Sequence, residues 1–185
     1  MNSDEARTIH LLYSAVHQAH KQAPTIWTMQ ECNRVLTAIM AAKAFSWRVI
    51  GITPAALDEF AAADFYSKSR QGITRAHLRS RFNTVTKLLL PDKPLSEREF
   101  FETWLANDRT ILCAKGENKR VIPKYIPIEN EDGTLFSCHG KLAGWHHRKR
   151  EREFLKELAH GRARHSLVAP PIDESDAKPS KPDPA

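Results

Sequence analysis

Cysteine is scarce in this 185-residue chain, and Cys32, Cys113 and Cys138 form an odd set with no paired spacing. A disulfide framework is therefore not expected, and a reducing cytoplasm is the expected compartment. No apolar run approaches the length that crosses a bilayer, and the opening MNSDEARTIH holds no apolar signal core. Three glycine-based signatures are also missing: the phosphate loop Gly-x-x-x-x-Gly-Lys-Ser/Thr, the dinucleotide loop Gly-x-Gly-x-x-Gly and the nucleophile elbow Gly-x-Ser-x-Gly. P-loop hydrolysis, dinucleotide redox chemistry and α/β-hydrolase catalysis lose their support with them. One further absence is local. Between Phe65 and Pro91 there is no Asp or Glu, while Lys68, Arg70, Arg75, Arg79, Arg81 and Lys87 all fall there.

What is present is positive charge on an ordinary globular composition. Lys and Arg number 28 against 22 Asp and Glu, a formal +6 with nine His besides, and 41% of residues are hydrophobic. The stretch Ser166–Ala185 holds five of the eleven prolines, four acids and two lysines, which leaves +8 on the rest. We expect one α+β domain over residues 1–165 and a disordered, Pro-rich acidic tail over 166–185. A core of that size stands without metal or disulfide.

Periodicity orders the elements. Ile9, Leu12, Tyr13 and Val16 make one helical stripe between Asp4 and Gln22. Thr28–Glu31 has the pattern of a capping box, and the helix it opens runs through Val35, Leu36, Ile39 and Met40. Phe45–Ile50 reads as extended, and Thr53-Pro54 as a cap with proline at the first helical position. Leu78, Phe82, Val85 and Leu89 predict an amphipathic helix over Thr74–Leu90, with Arg75 and Arg79 on its polar side. Ser96–Glu99 is a second capping box, before a helix closed by Asn107-Asp108. Thr110–Ala114 is a short apolar run. Tyr125–Ile128 and Thr134–Phe136 flank Asp132-Gly133, a hairpin signal, and Gly140–Trp145 is a further strand candidate. A last helix is expected over Arg148–His160. The expected architecture is a mainly helical front with a small C-terminal β-hairpin plus helix.

Two basic segments, Lys68–Lys87 and Lys141–Arg164, point to a polyanion, and nucleic acid is the expected partner, with DNA favoured over RNA. A membrane surface is disfavoured, because the faces expected to be exposed carry no interleaved Trp or Phe. The phosphate-gripping candidates are Lys68, Arg70, Arg75, Arg79, Arg81, Lys119, Arg148, Lys149 and Arg150. The last three sit where a helix begins, so their charge opposes the positive end of its dipole and a bound phosphate would offset the cost. Glu151 and Glu153 can compensate without a ligand. The alternative is a non-catalytic interaction module whose basic surface meets an acidic protein.

Two candidate sites carry chemistry. Gly72–Arg81, with Thr74-Arg75-Ala76-His77 inside it, is followed by Asn107–Lys119, and this order resembles the HNH (His-Me finger) nucleases. The resemblance implies His77 as general base, Asn107 and Asn118 at the later positions, phosphate on Arg75, Arg79 and Lys119, and a Mg²⁺ or Mn²⁺ ion at the leaving oxygen. From the residues alone, His77 reads first as a surface histidine on a basic helix. Cys138-His139, His146-His147 and Cys113 offer zinc-ligand types without zinc-ligand spacing, so structural Zn²⁺ is disfavoured.

Overall fold

The computed structural model describes residues 2–41, 43, 45–65, 72–119, 121–130, 133–137, 149–161 and 164–171. It is an α+β fold, with a helical layer packed beside a four-stranded mixed sheet.

The helical layer is built from α1 (Ser3–Gln22), α2 (Met29–Ala41), α4 (Arg81–Leu89) and α5 (Glu97–Asn107). Outside that layer stand α3 (Pro54–Ala62) and the last helix, α6 (Lys149–Gly161). The helix ends follow local chemistry. Asn2 caps α1 by accepting the Glu5 N–H at 2.7 Å, and Thr53 caps α3 by accepting the Ala56 N–H at 3.1 Å. Ser96 and Glu99 complete the reciprocal box that opens α5. Inside the layer Tyr13 stacks on Phe100 at 4.5 Å, and Leu36, Met40, Val85, Leu88 and Trp104 close the core. One face of α1 also straps down residues 88–95. The Tyr13 hydroxyl donates to the Leu88 carbonyl, and His10 and His17 engage the carbonyls of Leu95 and Pro91.

The sheet runs in the order β2–β3–β1–β4. β1 (Arg48–Ile52) and β3 (Arg109–Ala114) are parallel, with Arg48 opposite Arg109. β2 (Ile73–His77) lies antiparallel to β3, with His77 opposite Thr110, and the two-residue β4 (Ile126–Pro127) lies antiparallel to β1. One face packs Ile52, Leu57, Phe60, Leu112, Phe136, Leu155 and Leu158 between the sheet, α3 and α6. The other carries Ala76, Leu78, Ile111, Cys113 and Tyr125. No helix among the described residues is long and apolar enough to cross a membrane.

Two local expectations are corrected. Thr74–Leu90 is not one helix but strand β2, a short break and α4. The apolar spacing fits a helix by coincidence, and Ile73–His77 gains more by pairing with the buried strand β3. In consequence α4 buries Val85, Leu88 and Leu89 and leaves Phe82 41% exposed. The expected hairpin is not formed, because β4 pairs with β1 and Thr134–Phe136 belongs to a loop and not to a strand; Asp132 itself lies outside the described residues. Buried Asn130 holds that loop: its amide N–H groups donate to the Val49 and Leu135 carbonyls, and its oxygen accepts the Leu135 N–H. Within the expected tail, Val168 exchanges two backbone hydrogen bonds with Tyr125, at 3.0 and 2.8 Å. The candidate strand Gly140–Trp145 lies outside the described residues.

Gly51 sits where the Tyr125 ring crosses β1, and a Cβ there would lie inside van der Waals contact of Cδ2 and Cε2. Gly51→Ala should lower the unfolding free energy by about 1–3 kcal/mol through overpacking. Urea denaturation measures this, and a variant as stable as the parent would show that the ring is free to move aside.

Candidate functional site: the arginine end of the sheet

The parallel strands β1 and β3 both begin with arginine, Arg48 and Arg109, at the end of the sheet where β2 finishes in His77. Arg79 and Arg81 follow as the chain turns into α4. Arg81 and His77 meet one carboxylate there. Asp108, 2% exposed, sits between α5 and β3. Its Oδ2 accepts from the Ser46 hydroxyl at 2.5 Å, the Trp47 N–H at 2.9 Å and the Trp104 indole N–H at 3.3 Å. Its Oδ1 accepts from Arg81 Nη2 at 2.7 Å and faces His77 Nε2 at 3.3 Å. Burial by itself would raise the Asp108 pKa, but His77, Arg81, Ser46 and the Trp47 N–H together hold it well below the carboxylate range. With its lone-pair directions taken, this carboxylate is a structural anion and not a free base.

His77 is tied into the same cluster. Its Nε2 lies 3.1 Å from Arg81 Nε, a fixed donor, and 3.3 Å from Asp108 Oδ1, a fixed acceptor. With the ring proton on Nδ1, Nε2 accepts from Arg81; with the proton on Nε2, it donates to Asp108. Either way Nε2 is committed inward, and Nδ1 has no partner among the described residues. The Trp47 ring packs edge-on against the imidazole at 4.4 Å, and the Arg81 guanidinium lies over Trp47 at 4.5 Å. Burial is the main influence lowering the His77 pKa, opposed by Asp108 and reinforced by Arg81 and Arg75. His77 is therefore a neutral imidazole near pH 7, able to donate from Nδ1 in one tautomer and accept there in the other.

Arg75 does a different task. Its Nη1 donates to the Trp47 carbonyl at 2.8 Å and its Nη2 to the Phe136 carbonyl. Trp47 and Phe136 both have left-handed backbone, with φ of 59° and 56°. Such a conformation costs a non-glycine residue roughly 1 kcal/mol or more and persists only where the surroundings over-determine it. One guanidinium pins both. The Phe136 N–H in turn donates to Glu151, a buried carboxylate in the first turn of α6, at 3.2 Å. The start of α6 is thus joined to Arg75 through a single residue.

The expected site residues separate into groups. His77, Arg75, Arg79, Arg81 and Asn107 come together, and Arg79 donates to the Asn107 amide oxygen at 3.0 Å. Asn118 and Lys119 do not join them. They are exposed in the turn after β3, and about 13 Å of strand separates Thr110, opposite His77, from Ala114 before that turn. Lys149 and Arg150 are exposed at the start of α6. Lys68, Arg70, Arg148, Cys138, His139, His146 and His147 lie outside the described residues. Cys113 is fully buried, and burial pushes its thiol up to about 12. Among the described residues no three His, Cys, Asp or Glu side chains gather as metal ligands.

Sequence reasoning missed Asp108, Ser46 and Trp47 as parts of the site, and Arg48 and Arg109 as its neighbours. Asp108 was legible only as a helix stop. The available signal was an acid directly before a buried strand, flanked by arginines on strands that start in register. No family model, no curated protein and no solved structure matches the chain.

Two predictions arise from this cluster. Asp108→Ala should cost about 3–5 kcal/mol, because it leaves the Arg81 charge buried and unpaired; chemical denaturation measures the loss. The second concerns pH. His77 and His17 both have folded pKa values below their ordinary 6.5, so the unfolded chain binds protons first as pH falls. Their contribution is complete above pH 6.5 and is lost progressively below it. Asp108, with its pKa lowered, adds a second loss as pH falls below 3.8. Thermal denaturation across pH 4–8 should show the first decline, and Tm independent of pH in that window would contradict it.

Proposed function

We propose that this chain binds nucleic acid by its phosphate backbone, through one cationic surface formed by the arginine end of the sheet and the first turn of α6. The observation that supports this reading is the junction at Phe136. Two basic segments remote in sequence converge there, because Arg75 takes the Phe136 carbonyl and Glu151 takes its N–H. Lys149 and Arg150 thereby begin their helix next to the arginine cluster. The Gly133 backbone of the same loop also lies against the Arg48 stem, where a Cβ would stand 3.3 Å from Arg48 Cγ.

Within that surface the residues have different roles. Arg75 and Arg81 are engaged inside the protein, so they set the shape and the field and do not reach outward. Arg79 bonds the uncharged Asn107 amide and no carboxylate among the described residues, so its charge is not neutralised in place. Lys149 and Arg150 stand at the positive end of a helix dipole, an arrangement that a bound phosphate relieves. The Lys149–Glu153 pair, at 3.6 Å and well exposed, does not tie the lysine down. Lys119, at the far end of β3, stands apart from this surface.

The enzymatic version of the proposal is an HNH-like nuclease using Mg²⁺ or Mn²⁺. It would hold His77 with Nε2–H on Asp108 and use Nδ1 as the base. Asn107 is close enough to take part, and Asn118 is not. The competing reading is an acidic protein on the same cations.

Binding should be steeply salt-dependent, and replacing both Lys149 and Arg150 by Ser should lower the slope of log K against log salt by about 2. Both DNA and RNA should be weakened alike, as measured by fluorescence anisotropy. No detectable binding of either polymer at low salt would end the proposal, and a stoichiometric protein retained after nuclease treatment would favour the acidic partner. For the enzymatic version, His77→Ala should abolish metal-dependent nicking while binding persists; unchanged nicking would remove His77 from the chemistry.

A further inference from the structure

The break between β2 and α4 turns one aromatic side chain outward. Phe82 belongs to the first turn of α4, but the helix buries Val85, Leu88 and Leu89, which leaves the Phe82 ring 41% exposed. Thr86 and Leu90, four and eight residues further on, continue the same side of the helix, and Leu90 is 73% exposed. The sequence on either side of the ring carries one sign of charge. From residue 65 to residue 91 there is no acid, and Arg79 precedes the ring while exposed Lys87 follows it.

From this juxtaposition we propose that Phe82 is a stacking platform for an unpaired base, and that the nucleic acid bound is single-stranded. The inference rests on the phosphate-binding reading above and narrows its substrate class. An exposed ring in an acid-free segment, preceded by Arg79 and Arg81 and followed by Lys87, matches both parts of a nucleotide, the flat apolar base and the phosphate beside it. A duplex cannot use it, since each of its base faces is already covered by a neighbour. A single strand can, because every unpaired base offers a free face whatever its identity. Phe82 follows Arg81 directly, so a strand laid along the arginine end of the sheet passes the ring.

The test compares fluorescence anisotropy of a labelled oligothymidylate and a duplex of equal length, with the wild-type chain, Phe82→Ala, Phe82→Leu and Phe82→Tyr. The ring is 41% exposed and is not among the residues that close the core, so the four proteins should share one Tm, which checks that folding is intact. Ala and Leu should both weaken oligothymidylate binding about tenfold, within the range of one lost base–aromatic stack, with duplex binding within about twofold. Tyr, which keeps the ring, should bind like wild type. Oligothymidylate affinity unchanged in Ala, or equal losses for strand and duplex, would overturn the inference. So would full activity in Leu, or an effect confined to anionic phosphatidylserine vesicles, because apolar bulk and not stacking would then be at work. Failure of the wider proposal is distinguishable, since the wild-type chain would then bind neither polymer.

Discussion

The buried carboxylate of Asp108 is the contact on which the two halves of the molecule depend. It receives donors from the lead-in to β1, from the entry to α4 and from the indole of Trp104 inside the helical core. The last two of those segments belong to the helical layer and the first leads into the sheet. The helical layer and the sheet therefore share one anion at their boundary, and the balance between them is electrostatic as well as apolar. A charge taken out of water is tolerated only when its lone pairs are met by fixed donors, and this one is met on both oxygens. The arrangement also explains why the nearby histidine is neutral. Burial disfavours its cation, and Arg81 already supplies the positive charge that the carboxylate needs.

Charge at the arginine end is accordingly of two kinds. Arg75 and Arg81 point their hydrogen-bonding capacity into the fold, where they pin strained backbone and neutralise Asp108. Lys149 and Arg150 remain in solvent. A count of basic residues treats them as equal, yet the inward group holds the fold together and the outward group faces solvent. The same division separates the sheet end from the turn after β3, where Asn118 and Lys119 are exposed but isolated from the cluster.

Much of the fold was legible in the sequence, for reasons that are local. Capping chemistry at Thr53 and Ser96 works within four residues, so the starts of α3 and α5 could be placed without knowing their partners. The α+β class followed from helical stripes beside a short buried run. Thr74–Leu90 was misread because its apolar spacing satisfies a helix while its first five residues have a better use as a partner for β3. That use depends on a strand more than thirty residues later, which periodicity cannot weigh. The hairpin through Gly133 failed similarly, since Asn130 bonds to Val49 across 81 residues and draws the loop onto β1 instead. At the site, His77 and the arginines were found by residue type and neighbourhood. Asp108, Ser46 and Trp47 were not, because their role exists only once four segments meet.

The strand order β2–β3–β1–β4 has a consequence for the chain as it is made. β1 and β2 are synthesised first but never pair with one another; both wait for β3, which begins at Arg109. Until that segment leaves the ribosome, two strands with open edges coexist in a nascent chain whose helices α1 to α5 are already made. Non-local pairing of this kind is slow and leaves strand edges available to other chains. Asp108 is the residue directly before β3, so the strand that closes the sheet arrives together with the charge that locks it.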